Sequence, residues 1–255
     1  MSLGRFEGQV ALITGASRGI GFAVAQRLVS EGARVCITAR KQPALEAAVA
    51  ELGGPDRAIF AAGSGDDAEH QAAAVQATMA AFGRLDVLVN NTGINPTFGP
   101  LLEIEDRLAR KMFDVNVLSA LSWIRLAHRA WLAEHGGAVV NIASVAGLGV
   151  SPGIAFYGIT KAALINLTKQ LAVELSPGVR VNAVAPAVVK TRFAEALYAG
   201  NEEAVAANYL LKRLGEPADI SAAVAYLASA DAAWTTGQTL VIDGGMIGGG
   251  MIGGL

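Results

Sequence analysis

The sequence predicts an α/β protein, a single doubly wound domain on a seven-stranded parallel sheet with helices on both faces. Three observations predict it. Short, almost wholly apolar runs recur along the chain, as strands covered on both faces require. Helical patterns of ten or more residues separate those runs, which implies right-handed βαβ crossovers. No linker-like stretch divides the 255 residues, a length within reach of one α/β domain.

The elements follow in order. Gln9–Thr14 is the first strand, leading into a glycine-rich turn and a helix patterned by Phe22, Val24, Ala25, Leu28 and Val29. Gly32 ends that helix as a C-terminal signal should. Arg34–Thr38 is the second strand, followed by an Ala- and Leu-rich helix over Pro43–Leu52 and a strand at Ala58–Ala61. A helix over Asp67–Phe82 precedes the strand Leu85–Asn90, and a long helical region then runs to Glu134. The central strand occupies 138–143, and the next helix, carrying Tyr157, runs to Leu175. Val179–Val184 and Thr239–Ile242 are the sixth and seventh strands. The stretch 191–214 interrupts the alternation and reads as a helical excursion over the crevice, a lid. The tail 244–255 nearly repeats Gly-Met-Ile-Gly-Gly, and composition leaves open whether it docks at a subunit interface or is disordered.

Composition excludes several classes. Hydrophobic residues make up 53% and charged residues 16% of the chain, so much surface must be buried in a double-faced sheet or between subunits. The helical stretches 118–133 and 162–175 carry apolar residues on more than one side. One stripe suffices for a surface helix, so the second implies a homo-oligomer, a dimer or tetramer. Net charge is −2 with twenty dispersed Lys and Arg, unlike the footprint of a nucleic-acid binder. The lone Cys36 lies in an apolar strand and reads as a small buried hydrophobe. His70, His128 and His135 lack ligand spacing, so no metal is expected. The uncharged run 136–160 is broken by glycines and a proline and is no membrane span. With no basic segment and apolar core at the N-terminus, a cytoplasmic location is expected.

The chemistry concentrates between Gly136 and Lys161. A buried strand delivers Ser144 at its carboxyl end, where open α/β sheets bind ligands. Tyr157 and Lys161 follow, four apart on a helix and so on one face. A cation close to a phenol favours the phenolate, the direction a general acid/base near neutral pH requires. At the other end of the crevice, Gly15, Gly19 and Gly21 lie between a strand and a helix, where backbone N–H groups would hold a dinucleotide pyrophosphate. The second strand ends in Thr38-Ala39-Arg40-Lys41, with no acid to meet a ribose 2′-hydroxyl. A guanidinium there can bind a 2′-phosphate bidentately, and Arg18 adds a second cation, so NADP(H) is favoured over NAD(H).

Together these residues resemble the short-chain dehydrogenase/reductase superfamily over essentially the whole chain. The resemblance rests on Thr14-Gly-Ala-Ser-Arg-Gly-Ile-Gly21, Asn90-Asn-Thr-Gly93, Asn116, Ser144, Tyr157-x-x-x-Lys161 and Asn182-x-x-x-Pro186. Within it the chain looks most like 3-oxoacyl-thioester reductases and NADP-dependent carbonyl reductases, and so implies a Rossmann fold. It further implies that Tyr157 exchanges a proton with the substrate oxygen, Ser144 hydrogen-bonds that oxygen, and Lys161 holds the nicotinamide ribose. Asn116 would anchor a water linking Lys161 to solvent. Asn90 and Gly93 would border the adenosine side and Thr191 would meet the carboxamide. Ser17, Ile20, Ser64, Pro186 and Val189 complete the cofactor contacts it implies.

Three departures stand out. Thr92 replaces the usual alanine, Ser64 stands where an adenine-contacting Asp is common, and Ala187 follows Pro186 where glycine is usual. A Cβ at Ala187 matters if the backbone there needs positive φ. The expected activity is NADP-dependent interconversion of a ketone, a 3-oxoacyl thioester or small carbonyl compound, and a secondary alcohol. No basic patch for an acidic carrier protein is evident, which favours a small thioester or free carbonyl. The alternative is a catalytically silent NADP-binding regulator or scaffold.

Overall fold

The computed structural model describes residues 4–247. Seven parallel strands form one sheet in the order β3-β2-β1-β4-β5-β6-β7, so the chain reverses direction of winding between β1 and β4. The strands are β1 (Val10–Ile13), β2 (Arg34–Ala39), β3 (Ala58–Ala62), β4 (Val87–Asn90), β5 (Gly137–Ile142), β6 (Val179–Pro186) and β7 (Thr239–Ile242). Alternate residues of each strand enter opposite cores. Ala11, Ile13, Val35, Ile37, Val89 and Val140 pack on one face with Leu28, Leu45 and Val224. Leu12, Cys36, Leu88, Val139 and Val181 pack on the other with Ala74, Trp123 and Leu171. Both faces are therefore dry, which is why the strands read as continuous apolar runs rather than alternating ones. Burial also pushes the Cys36 thiol up to about 11, so it behaves as a core side chain.

The helices α1 (Gly19–Ser30), α2 (Gln42–Glu51) and α3 (Ala68–Phe82) match their sequence patterns. Asp67 caps α3 by accepting from the His70 N–H, and Gly83 ends it in the left-handed region. The region before β5 is one continuous helical path of changing pitch. It runs through α4 (Asp106–Phe113), a π segment (Asp114–Leu118), α5 (Ser119–Ala127), a second π segment (His128–Leu132) and α6 (Ala133–His135). The helix α7, which carries Tyr157 and Lys161, spans Ala155–Glu174. Past β6, the stretch expected to be a helical lid is mostly turns, with a 3-10 turn at Glu195–Leu197 and the short α8 (Glu202–Ala206). α9 (Pro217–Ala228) then crosses back to β7, starting at a Glu216–Asp219 capping box with Pro217 at its first position. Among the described residues no helix is long and apolar enough to cross a membrane. Residues 248–255 of the expected tail lie outside those described.

Candidate active site

The carboxyl ends of β1, β4, β5 and β6 gather the sequence-predicted residues around one crevice. At one end of it lies the β1–α1 turn. Gly15 and Gly19 take positive φ of 64° and 61°, which only glycine adopts without strain. A Cβ on Gly15 would lie 3.0 Å from Thr92 Oγ1, and one on Gly21 would lie 2.5 Å from Asn91 Nδ2. Asn91 Nδ2 donates to the Thr14 and Gly15 carbonyls at 2.8 and 3.0 Å, pinning the turn to β4. Arg18, at the N-cap of α1, makes no side-chain cap, so the first-turn N–H groups are left to another acceptor. Thr191 closes over the same turn, its Cγ2 3.4 Å from where a Gly19 Cβ would be. Ser17 and Ile20 lie within the turn, half-buried. This bare backbone cradle at a twelve-residue helix fits a dinucleotide pyrophosphate.

Arg18 and Arg40 are exposed, and neither is in a salt bridge among the described residues. Ser64 donates to Asp66 Oδ1 at 2.6 Å, and Asp66 also pairs with Lys111 of α4. An acid therefore does stand in the β3–α3 loop, two residues past the predicted position. Lys111 and Ser64 hold its carboxyl below the usual range, against burial, which pushes it upward.

Asn90 and Gly93 separate. Asn90 is buried within the sheet, and its Nδ2 donates to Asn141 Oδ1 at 2.9 Å; Asn141 Nδ2 in turn donates to Thr168 of α7 at 2.9 Å. The Asn90 side chain thus ties β4 to β5 and α7, because it shares its strand register with Asn141. Gly93 does face the crevice. A Cβ on it would lie 3.4 Å from Lys161 Nζ and 3.5 Å from Asn116 Oδ1, so glycine leaves room for both. Pro186 ends β6 and Val189 and Thr191 follow it, and the Pro186 carbonyl accepts from Ser144 Oγ at 3.4 Å. Lys212 is the described non-glycine residue at positive φ, so Ala187 sits in backbone open to any residue.

At the carbonyl end, Ser144 caps a short 3-10 turn after β5, and its Oγ accepts from the Ala146 N–H at 3.2 Å. Tyr157 and Lys161 share the buried face of α7. Lys161 Nζ lies 5.5 Å from the Tyr157 ring centroid and donates to the Ile142 carbonyl at 2.7 Å. Burial pushes the phenol up to about 12, while the Ser144 hydroxyl pulls it the other way. Burial also brings the Lys161 ammonium down to about 8. The sequence argument expected the cation to lower the phenol. Here burial sets the direction, since the ammonium is engaged by Ile142 and low polarity disfavours both charges. Asn116 lies in the first π segment. It donates to the Ile94 carbonyl at 3.0 Å and to Thr160 Oγ1 at 2.9 Å, and accepts from the Ile94 N–H at 2.8 Å. Thr160 donates to the Tyr157 carbonyl at 2.7 Å, so Asn116 locks the 93–95 loop to the first turn of α7.

The likenesses to known proteins agree with this geometry. A family model described as "Enoyl-(Acyl carrier protein) reductase" matches residues 15–247. The chain is 41% identical over 250 residues to "Dehydrogenase/reductase SDR family member 4" of Caenorhabditis elegans, covering 95% of this chain and 96% of that one. It is 40% identical to "Short-chain dehydrogenase/reductase SDRA" of Arabidopsis thaliana, covering 95% and 96%. A short-chain type dehydrogenase/reductase from Mycobacterium ulcerans superposes with a TM-score of 0.89 at 32% identity, over 94% of this chain and 90% of that chain. The structure described as "ElxO with NADP Bound" superposes with a TM-score of 0.87 at 33% identity, over 94% and 99%. The chain is an NAD(P)-dependent oxidoreductase acting on CH–OH and C=O groups. It belongs to the short-chain dehydrogenase/reductase family.

Proposed function

We propose that this chain reduces a ketone to a secondary alcohol with NADP(H), or runs the reverse reaction, on a small carbonyl compound or short 3-oxoacyl thioester. The observation that carries this reading is the buried Tyr157 beside Ser144, with Lys161 behind it and the glycine cradle at the far end of the same crevice. A positioned phenol can donate its proton to a carbonyl oxygen, and an adjacent cation would favour the phenolate that forms. NADPH would supply the hydride. The β1–α1 turn would bind its pyrophosphate, Arg18 and Arg40 its 2′-phosphate, and Lys161 its nicotinamide ribose. Ser144 would orient the carbonyl toward Tyr157, and the proton would leave the phenol oxygen as the alkoxide forms. Lys161 beside the ring would then stabilise the phenolate. Asn116 would hold the loop and helix that set this spacing.

The 191–214 stretch serves as a substrate lid in this reading, since Phe193 lies 6.2 Å from the Tyr157 ring. Leu118, Ile159 and Val173 are exposed on helices flanking the sheet, which supports a homo-oligomer measurable by light scattering. Following nicotinamide absorbance with NADPH and with NADH tests the activity. The substrates are a short 3-oxoacyl thioester, a diketone, a cyclic ketone and an aromatic aldehyde. Turnover with NADPH on simple carbonyls is expected. NADPH binding with silence on every substrate, in both directions, would support a regulator instead.

A further inference from the structure

A narrow cleft of about 20 Å³ runs from Tyr157 beneath the loop that follows β4. Its roof is a bridge between two loops. The Gly99 N–H donates to the Gly153 carbonyl at 2.9 Å. Gly153 has a φ of 78°, and a Cβ on it would fall 2.3 Å from Phe98 Cζ, so the Phe98 ring lies directly on the glycine. Any side chain at 153 would both strain the backbone and lift the ring. The walls combine apolar side chains, Ile104, Met112, Ile154 and Phe156 among them, with polar groups that include Thr97. Asn95 also lines the cleft, and its Oδ1 is buried without a hydrogen-bond partner.

A buried acceptor left unpaired is costly, and such groups call for a specific explanation. The volume admits one water-sized group. A water held there needs two to four polar partners. A hydroxyl or amine that belongs to a larger molecule needs one, because its carbon frame is anchored elsewhere.

We propose that this cleft is a substrate subsite in which Asn95 Oδ1 accepts a hydrogen bond from a hydroxyl or amino group carried near the reacting carbonyl. The inference rests on the ketone-reductase reading above and narrows its substrate class to ketones bearing such a donor. The roof over Gly153 sets how large the group can be. A site built around an unpaired acceptor discriminates against analogues lacking the donor, because they leave it unpaired again.

The test is a series of linear ketones with a hydroxyl at successive carbons, the unsubstituted ketone, and diketones in which a carbonyl replaces the hydroxyl. At one chain position the wild-type protein should prefer the hydroxyketone over both analogues by tenfold or more in kcat/KM. In Asn95→Leu that preference should collapse toward unity. If Asn95→Leu does not fold, Asn95→Ser removes the acceptor from the same place. A flat series, an equal preference for the diketone, or a preference that survives the substitution would overturn the subsite. Calorimetric titration of the same ketones into NADP-loaded protein reads it without turnover. Binding that discriminates without reduction upholds the subsite and sinks the reductase reading. Reduction with a flat series sinks the subsite alone, and flat binding without reduction sinks both.

Discussion

At the carbonyl end of the crevice, Tyr157, Lys161 and Asn116 are all buried, and Lys161 and Asn116 are fixed by hydrogen bonds of 2.7–3.0 Å to the backbone or to Thr160. At the other end, Arg18 in the glycine turn and Arg40 just past β2 stand exposed. The first end is dry and rigid, where one proton's position changes everything; the second is wet, where charges are screened and act by addition. Low polarity explains the contrast, because it magnifies electrostatic differences that water reduces. Chemistry therefore should depend steeply on single buried groups, and cofactor choice should depend gradually on surface cations.

Substitutions at the two ends should separate accordingly. Tyr157→Phe should lower kcat for ketone reduction by about 10²–10⁴-fold, the usual contribution of a positioned proton donor, while calorimetry finds NADPH affinity nearly unchanged. Comparable loss of cofactor binding would erase the division. Asn116→Leu should slow turnover and also destabilise the protein by roughly 1–3 kcal/mol in denaturant unfolding, since the buried Ile94 and Thr160 groups lose their partner. At the wet end, Arg40→Ala should cut the NADPH-over-NADH preference by about tenfold, which corresponds to 1.4 kcal/mol. That preference should also weaken with added salt.

The smallest effect sharpens the dry end through stability. Burial lowers the folded-state pKa of Lys161 to about 8 from an unfolded value near 10.5. Between those values the unfolded chain binds more protons than the native one, so this lysine makes stability rise with pH from about 8. Tyr157 has the opposite sign, because its raised pKa makes stability fall once pH passes the unfolded value of 10.0. Lys161→Met should therefore help the cofactor-free protein most below pH 8. The gain in melting temperature should shrink by pH 10. A gain that does not vary with pH would mean Lys161 is charged in the fold at every pH measured.

Much of this was legible in the sequence for a physical reason. Strands covered on both faces must be apolar throughout, so β1, β2, β5 and β6 announce themselves, and Gly15 and Gly19 announce positive φ at a turn. Ser144, Tyr157 and Lys161 were legible because strand end and helix spacing fix their placement. Other features depend on tertiary context that one sequence does not carry. The π segment around Asn116 follows from how a long helix wraps the sheet. Asn90 turns toward Asn141 because of strand register, while the composition of 191–214 reads as helix although that stretch folds largely as turns. The direction of the Tyr157 shift reflects its burial, opposed by the Ser144 hydroxyl, which helix spacing alone does not show. Asn95 gave no signal at all. It becomes visible only when its acceptor is found buried without a partner.

The most direct test of the central claim, that a desolvated neutral Tyr157 donates the proton, is the pH profile of kcat/KM for ketone reduction. It should be measured for wild type and Tyr157→Phe side by side. The wild type should hold its rate through neutrality and lose it at alkaline pH as the phenol ionises, and the variant should show a low rate without that limb. A variant that keeps both the wild-type rate and its alkaline limb would place the proton donor elsewhere.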